Sequence, residues 1–227
     1  MPKELYKRIS RRNSIIKTEK ITVPHIPQKL SQVEVTMFHD EEYIHDCLIE
    51  NCTIDEHQAM NIDISQVVFR NVVFNHICWP FAKITDAIFE RCDLSNMNFN
   101  EGFMDQVQLT SCKLVGANMT EAYLKRTLFT ACNAAYSILS HARCKKITFH
   151  ETSFSEANFY STTLEDVNFE NCNLDKAQFS KTKLRGIDLS SCQFYQLGLN
   201  PDDLRGCIIA PDQAIALANI FGVILKK

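Results

Sequence analysis

The sequence is poor in turn and hinge residues, with six glycines and six prolines among 227 residues, and it has a single tryptophan. It has no apolar run of about 18 residues, which argues against a transmembrane helix. Met1–Lys20 lacks the apolar core of a signal peptide, so we expect a cytoplasmic protein. Phosphate-loop, dinucleotide-binding, zinc-protease and serine-nucleophile motifs are missing, and we expect no enzymatic activity, cofactor or metal site.

A five-residue repeat dominates what is present. Every fifth residue from Ile44 to Leu199 is nonpolar, at 32 consecutive positions, and the residue two places earlier is mostly Cys, Ala or Thr. Neither a helical nor a strand period produces this pattern. If each pentapeptide forms one side of a square coil, residues 20 apart stack directly. The repeat therefore predicts an all-β, right-handed quadrilateral β-helix over residues 31–200.

The ten cysteines follow the same repeat. Six of them differ by multiples of 20 and should form one ladder inside the coil: Cys52, Cys92, Cys112, Cys132, Cys172 and Cys192. A ladder of this kind is either a metal or redox site or a column of small apolar side chains. Zinc ligands must converge on one point, whereas these cysteines lie along a line. We therefore interpret them as free thiols that fill space in a reducing compartment.

The two ends differ from the repeat. Residues 1–30 carry eight Lys and Arg against two Glu, and we interpret them as a basic arm that starts an N-terminal cap. A nucleic-acid or membrane role for the arm and a solvated tail both remain open. Residues 201–227 predict a helix from Pro211 to Ile220 and a short strand at Val223–Leu225, which together cover the open end of the coil. Their surplus apolar surface predicts a homodimer through Ala214, Ile215, Leu217, Ala218, Phe221, Val223 and Leu225.

Three stretches resemble the Qnr quinolone-resistance pentapeptide-repeat proteins, in particular the chromosomal Qnr-like proteins of Gram-positive bacteria. These stretches are Asp86–Ser95, Tyr123–Asn133 and a terminal module comprising Leu204–Gly206, Pro211–Ala214, Leu217–Ala218 and Phe221–Val223. The resemblance implies a pentapeptide-repeat solenoid that binds DNA gyrase and topoisomerase IV, imitates DNA and protects these enzymes from quinolones. It also implies no small-molecule substrate and no membrane contact. The register from 44 to 199 lacks the interrupting loops of the Gram-negative members.

Charge bears on the DNA mimicry that the resemblance implies. Residues 31–227 hold 25 acidic and 16 basic residues, a net charge of −9, so we expect no direct nucleic-acid binding. Two adjacent sides of the coil are acidic, through Glu50, Asp55, Glu56, Glu90, Asp93, Glu151, Glu156, Glu170, Asp175 and Asp188. A third side has a basic stripe, formed by Lys125, Arg126, Arg143, Lys145, Lys146, Lys183 and Arg185. DNA carries about one charge per 1.7 Å, so shape must contribute to any mimicry.

Other interpretations of the same residues stay open. Scattered acidic side chains also keep a stacked rod in solution without serving any partner. The chain could equally be an immunity protein against another gyrase poison, with the same target and a different threat. A non-catalytic interaction scaffold with an unrelated partner is the third reading.

Overall fold

The computed structural model describes residues 23–55, 58–221 and 223–224, so most of the basic arm, Glu56 and Leu225 lie outside the described residues. Neighbouring coils pair in parallel with a register of 20 residues, as in Ile84 with Met104 and Phe89 with Leu109. The fold is a parallel β-solenoid of about seven turns, and the predicted fold class is confirmed. The 20-residue register shows that four pentapeptides complete each coil.

Most strands have two to four residues because the chain turns a corner after each pentapeptide, whereas four strands of eight residues continue across one corner. In the described residues the strands are β1 (Ser31–Gln32), β2 (Tyr43–His45), β3 (Cys47–Glu50), β4 (Thr53–Asp55), β5 (Asp63–Ser65), β6 (Val68–Arg70), β7 (Val73–Asn75), β8 (Lys83–Glu90), β9 (Phe103–Thr110), β10 (Tyr123–Lys125), β11 (Leu128–Thr130), β12 (Arg143–His150) and β13 (Thr163–Glu170). Single bridges with the same spacing continue the pairing to Asp188 and Ile208. The predicted register therefore runs without interruption through the repeat.

The core is a column of side chains along the coil axis. Of the 32 positions predicted to point inward, all are buried except Leu164 and Leu199, which are partly buried and pack against the core. Phe69 and Phe89 stack with ring centroids 4.7 Å apart, and Phe159 and Phe179 stack at 4.8 Å. These distances match the spacing of hydrogen-bonded strands, about 4.8 Å. The spacing between neighbouring coils therefore determines the distance between the stacked rings.

The corners of the coil require an unusual backbone conformation. From Asp46 to Lys181, the described non-glycine residue at each corner has a φ between 47° and 62°. This left-handed region costs an ordinary residue roughly 1–2 kcal/mol, and Asn, Asp and Gly tolerate it best. Many corners hold these residues, including Asn51, Asn71 and Gly116. Corner side chains also bond along the rod, since Asn71 Nδ2 donates to Asn51 Oδ1 at 2.9 Å.

The described part of the predicted arm is docked on the solenoid. Pro24 is buried, and the His25 amide donates to Asp86 Oδ1 at 2.7 Å. Gln66 Nε2 donates to the His25 carbonyl at 3.0 Å, and β1 pairs with Cys47 and Leu48 of β3. Residues 23–32 therefore lie across the corner that carries Gln66 and Asp86.

The C-terminal segment folds over the last coil. Helix α1 spans Gln213–Ala218 and a 3₁₀ helix spans Asn219–Phe221, so regular helix begins two residues after the predicted start at Pro211. The first turn is instead a tight one, because the amides of Gln213 and Ala214 donate to the carbonyls of Ala210 and Pro211, and Gln213 Oε1 caps it by accepting from the Ala210 amide at 2.8 Å. The predicted strand is absent at residues 223–224, while Leu225 lies outside the described residues. No helix within the described residues has both the length and the apolar character needed to cross a membrane.

Candidate interaction surface on two acidic faces

The four sides of the solenoid are called faces A to D. Face A contains residues 82–86, face B 87–91, face C 92–96 and face D 97–101, together with their equivalents at 20-residue steps. Successive residues of each pentapeptide point alternately inward and outward, so the charged residues of faces B and C project into solvent. The ten acidic residues predicted for a binding surface lie on these two adjacent faces, with Glu56 outside the described residues.

The acids of the earlier coils are tied to cations or amides. Arg70 lies between two carboxylates, with Nε 2.8 Å from Glu90 Oε2 and Nη1 3.5 Å from Glu50 Oε2. Lys113 Nζ lies 3.2 Å from Asp93 Oδ2. Burial would raise the pKa of Asp93, but hydrogen bonds from Ser95 and Lys113 outweigh it and lower that pKa. The early coils consequently present less free negative charge than their composition suggests.

Four acids of the later coils have no Lys or Arg within ion-pair distance among the described residues. We call Glu151, Glu170, Asp175 and Asp188 the late acidic group. The side chains of Glu151 and Glu170 are 59% and 48% exposed, and the one charged or titratable partner among the described residues is the His150 ring, at 3.5 Å and 3.3 Å.

The other two members of the late acidic group bind backbone amides. Asp175 Oδ1 accepts from the Tyr195 amide at 2.8 Å, and Asp188 Oδ1 accepts from the Ser190 amide at 2.8 Å. These bonds fix the carboxylates in place without neutralising them. Glu156 is nearby on face C but faces Lys176, with Oε1 3.9 Å from Nζ.

The basic stripe of face A is held by acids that the sequence analysis did not single out. Arg126 Nε donates to Asp105 Oδ1 at 2.6 Å, and Lys125 Nζ lies 3.4 Å from Asp105 Oδ2. These cations outweigh the burial of the Asp105 carboxyl and lower its pKa. The sequence contains a signal for these pairs, because Asp105 lies 20 positions before Lys125 and 21 positions before Arg126, on the preceding coil.

Two further ion pairs cross-link the basic stripe. Lys145 pairs with Glu165 and Lys183 with Asp203, each at 2.8 Å. In the described part of the chain, no carboxylate comes within ion-pair distance of Arg143 or Arg185. The stripe is therefore less cationic than its composition implies, and its free charge is concentrated at these two arginines.

The cysteine ladder is internal. All ten cysteines are free, and ladder thiols donate to backbone carbonyls, such as Cys112 Sγ to Phe89 O at 3.4 Å and Cys172 Sγ to Phe149 O at 3.2 Å. Burial raises the pKa of the Cys144 thiol to about 12. The described residues contain no cluster of three His, Cys, Asp or Glu that could hold a metal ion.

The residues predicted for a dimer contact divide into two sets. Leu217 is 3% exposed and packs against the protein's own core, so its assignment to a dimer contact is corrected. Gln213 holds the helix down, because its Nε2 donates to the carbonyls of Leu189 at 2.9 Å and Cys192 at 2.7 Å.

The remaining members of the set face outward to different degrees. Ile215 is 66% exposed, Phe221 57% and Val223 48%, and Ile224 beside them is 94% exposed. Ala214 is exposed and Ala218 half-buried, while Leu225 lies outside the described residues. An apolar patch therefore remains on the outer surface of the cap.

Comparison with known proteins agrees with the repeat. A family profile described as a pentapeptide repeat region matches residues 82–159, and one described as pentapeptide repeats (8 copies) matches residues 152–190. No curated protein sequence matches this chain.

Similar solved structures include a trypsin-treated variant of QnrB1, a plasmid-mediated fluoroquinolone resistance protein. It has 18% identity and a TM-score of 0.41, over 87% of this chain and 98% of that chain. Another is HetL, a pentapeptide-repeat protein involved in heterocyst differentiation regulation from the cyanobacterium Nostoc sp. strain PCC 7120. It has 17% identity and a TM-score of 0.33, over 75% of this chain and 90% of that chain. At such identities the likeness concerns the fold alone. Residues 82–190 of this chain are therefore similar in sequence to pentapeptide-repeat proteins.

Proposed function

We propose that this protein binds bacterial type II topoisomerases, DNA gyrase and topoisomerase IV, as a rod that imitates a DNA segment and protects them from quinolones. The observation that carries the proposal is the late acidic group. Its four carboxylates lie on two adjacent faces of a stiff rod, and the described residues offer them no Lys or Arg partner. The terminal module that resembles Qnr proteins supports the same partner.

Charge and shape contribute unequally to this binding. Stacked coils hold side chains at a fixed axial repeat of about 4.8 Å, so the acids of neighbouring coils form regular rows. The body carries a net charge of −9, far below that of a DNA segment of equal length. A surface of this kind enters a cationic DNA channel but competes weakly with DNA itself. Weak competition suits protection, because the enzyme must keep turning over DNA.

The apolar patch on the C-terminal cap completes the proposal. Ile215, Phe221 and Val223 are exposed on the segment that covers the last coil. If the patch meets its own copy, the contact is isologous and closes both open ends of the coils. The resulting homodimer is a longer rod with acidic faces on both halves, which suits a two-fold symmetric enzyme.

The test is a supercoiling assay with purified gyrase, relaxed plasmid and an inhibitory quinolone, to which the protein is added at micromolar concentration. We expect supercoiling to return, and we expect gyrase to retain the protein in a pull-down. Continued inhibition alongside a working Qnr control would refute protection. Binding without quinolone protection, but with rescue from another gyrase poison, would instead favour the immunity function. Absence of gyrase binding would favour the unrelated scaffold.

A further inference from the structure

A shallow groove follows the edge between faces D and A. It contains a cavity of about 550 Å³ that is lined by Glu121, Tyr123, His141 and Arg143 and is open to solvent. The cavity forms over Ala122 and Ala142, whose small side chains point inward and are fully buried. Corner residues form one wall and the first outward residues of face A form the other.

Aromatic rings on neighbouring coils lie beside this depression. The rings of Phe103 and Tyr123 lie 5.6 Å apart, and those of His141 and Tyr160 meet edge to face at 5.5 Å. Lys181 Nζ sits 5.0 Å from the centre of the Tyr160 ring. Successive coils therefore place aromatic rings in a row along this edge, with the Lys181 ammonium beside them.

Positive charge is concentrated on the same stretch. The face A segments 122–126, 142–146, 162–166 and 182–186 hold seven basic and two acidic residues, a net charge of +5, which the ion-paired Asp105 and Asp203 of the flanking coils reduce to +3. Arg143, inside the cavity, has no ion-pair partner among the described residues. The structure therefore separates an acidic side of the rod, on faces B and C, from a cationic edge.

We propose that this edge binds single-stranded nucleic acid. Grooves that bind single strands combine a cationic track for the phosphates with aromatic rings on which bases stack, and both features occur here. A duplex hides the faces of its bases, so it gains nothing from the rings. The coils from Tyr123 to Lys183 span roughly 14 Å, the axial length of about four stacked nucleotides.

Glu121 adds base selectivity. A carboxylate beside an aromatic wall repels phosphate but accepts hydrogen bonds from exocyclic amino groups of bases. Cytosine carries such an amino group and thymine does not. We therefore expect a cytosine tract to bind more tightly than a thymine tract.

This inference departs from the expectation of no nucleic-acid binding, which rested on the net charge of the whole body. The net charge of the body does not exclude binding at a local cationic edge, because surface charges more than about 10 Å apart are screened from each other at ordinary salt concentrations. The proposal is also independent of topoisomerase binding, since it uses the opposite surface of the rod and its test contains no topoisomerase.

The test is fluorescence anisotropy of labelled 12-nucleotide cytosine and thymine tracts and of a 12-base-pair duplex, at low and high salt. We expect micromolar binding of the cytosine tract, at least threefold weaker binding of the thymine tract, and weaker binding still of the duplex. Arg143→Glu and Tyr123→Ala should each weaken binding of the cytosine tract about tenfold, whereas Tyr123→Phe should retain it. Glu121→Ala should abolish the preference for cytosine.

The matched control is Lys83→Glu, which makes the same charge change as Arg143→Glu in the same row of face A, outside the groove. Its binding should stay within twofold of the parent protein. Circular dichroism melts establish that each variant is folded before its binding is measured. Equal losses for Lys83→Glu and Arg143→Glu, equal affinity for the duplex, or no binding at low salt would each overturn the proposal.

Discussion

Phe38 meets Trp79 edge to face, with ring centroids 4.9 Å apart and ring planes at 86°. Both side chains are fully buried. Ala59 occupies the position of the stack one coil before Trp79, and its small side chain leaves the space into which Phe38 reaches. Phe38 therefore closes the N-terminal end of the core, which the five-residue repeat starting at Ile44 does not do.

Removing this ring should destabilise the first coils. Phe38→Ala should lower the free energy of unfolding by about 3–5 kcal/mol, since a large buried aromatic leaves a cavity. Urea unfolding followed by the fluorescence of Trp79, the single tryptophan of the sequence, measures this directly. Val33→Ala is the control, because Val33 is 40% exposed and should change stability little. Equal stability of Phe38→Ala and the parent would contradict the role of Phe38 as a cap.

Asp105 should contribute stability that depends on pH. Its pKa is lowered in the folded protein from an ordinary value of 3.8, because Arg126 and Lys125 outweigh the burial of the carboxyl. A lowered carboxyl pKa stabilises the fold above the unfolded value, and the contribution is lost as pH falls below about 3.8 towards the folded value. Asp105→Asn should therefore unfold more easily at pH 7, and its deficit should shrink between pH 4 and pH 2.

Thermal melts across this pH range provide the measurement. Glu165→Gln is the comparison. Lys145 also lowers the pKa of the Glu165 carboxyl, but both side chains are exposed to solvent, so the effect on the acid limb of the stability profile should be much smaller than that of Asp105→Asn. A deficit of Asp105→Asn that stays constant down to pH 2 would show that the carboxylate charge is not responsible.

The late acidic group should dominate binding to topoisomerase. The double variant Glu151→Lys with Glu170→Lys reverses two exposed charges on face B and should weaken gyrase binding about tenfold or more. The matched control, Glu165→Lys with Asp166→Lys, makes the same charge change on face A. Surface plasmon resonance at two salt concentrations compares the variants. If both double variants lose affinity equally, net charge rather than a defined surface governs binding.

The C-terminal patch should make the protein dimeric. Light scattering at micromolar concentration should give a mass near twice the 26.0 kDa of one chain. Ile215→Asp and Phe221→Asp each place a charge in the proposed contact and should shift the mass to that of a monomer. Tyr43→Asp is the control, because Tyr43 is 59% exposed in the first coil, at the opposite end of the solenoid from the cap. A monomeric parent protein would rule out the dimer at these concentrations.

The charge of two adjacent coil sides predicted the ten acids, and the structure ranks them. Sequence spacing shows that residues 20 apart are neighbours, yet it does not show which side chains reach each other. Arg70 turns Glu50 and Glu90 into an ion-pair cluster, whereas the one charged or titratable partner of Glu151 and Glu170 among the described residues is His150. The early acids therefore become weaker candidates for partner contact, because their charge is already compensated.

The solenoid itself was decided by the sequence. A nonpolar residue at every fifth position, with a small residue two places before it, is buried when the chain turns a corner after each pentapeptide, and the 20-residue register of the structure shows that four such sides make one coil. The same period determined that the cysteine ladder is internal and that charged residues fall into rows. These features depend on local spacing repeated many times, so no distant contact was needed to infer them.

Only the tertiary structure shows the contacts that the five-residue period does not predict. The packing of Phe38 against Trp79, the docking of His25 on Asp86 and the anchoring of Gln213 on the last coil join segments outside the repeat to the solenoid. The groove at Tyr123 and Arg143 likewise exists only when separate coils are stacked. Such contacts rest on the directions of individual side chains across sequence separations that no periodicity specifies, and hence they become visible only in the folded chain.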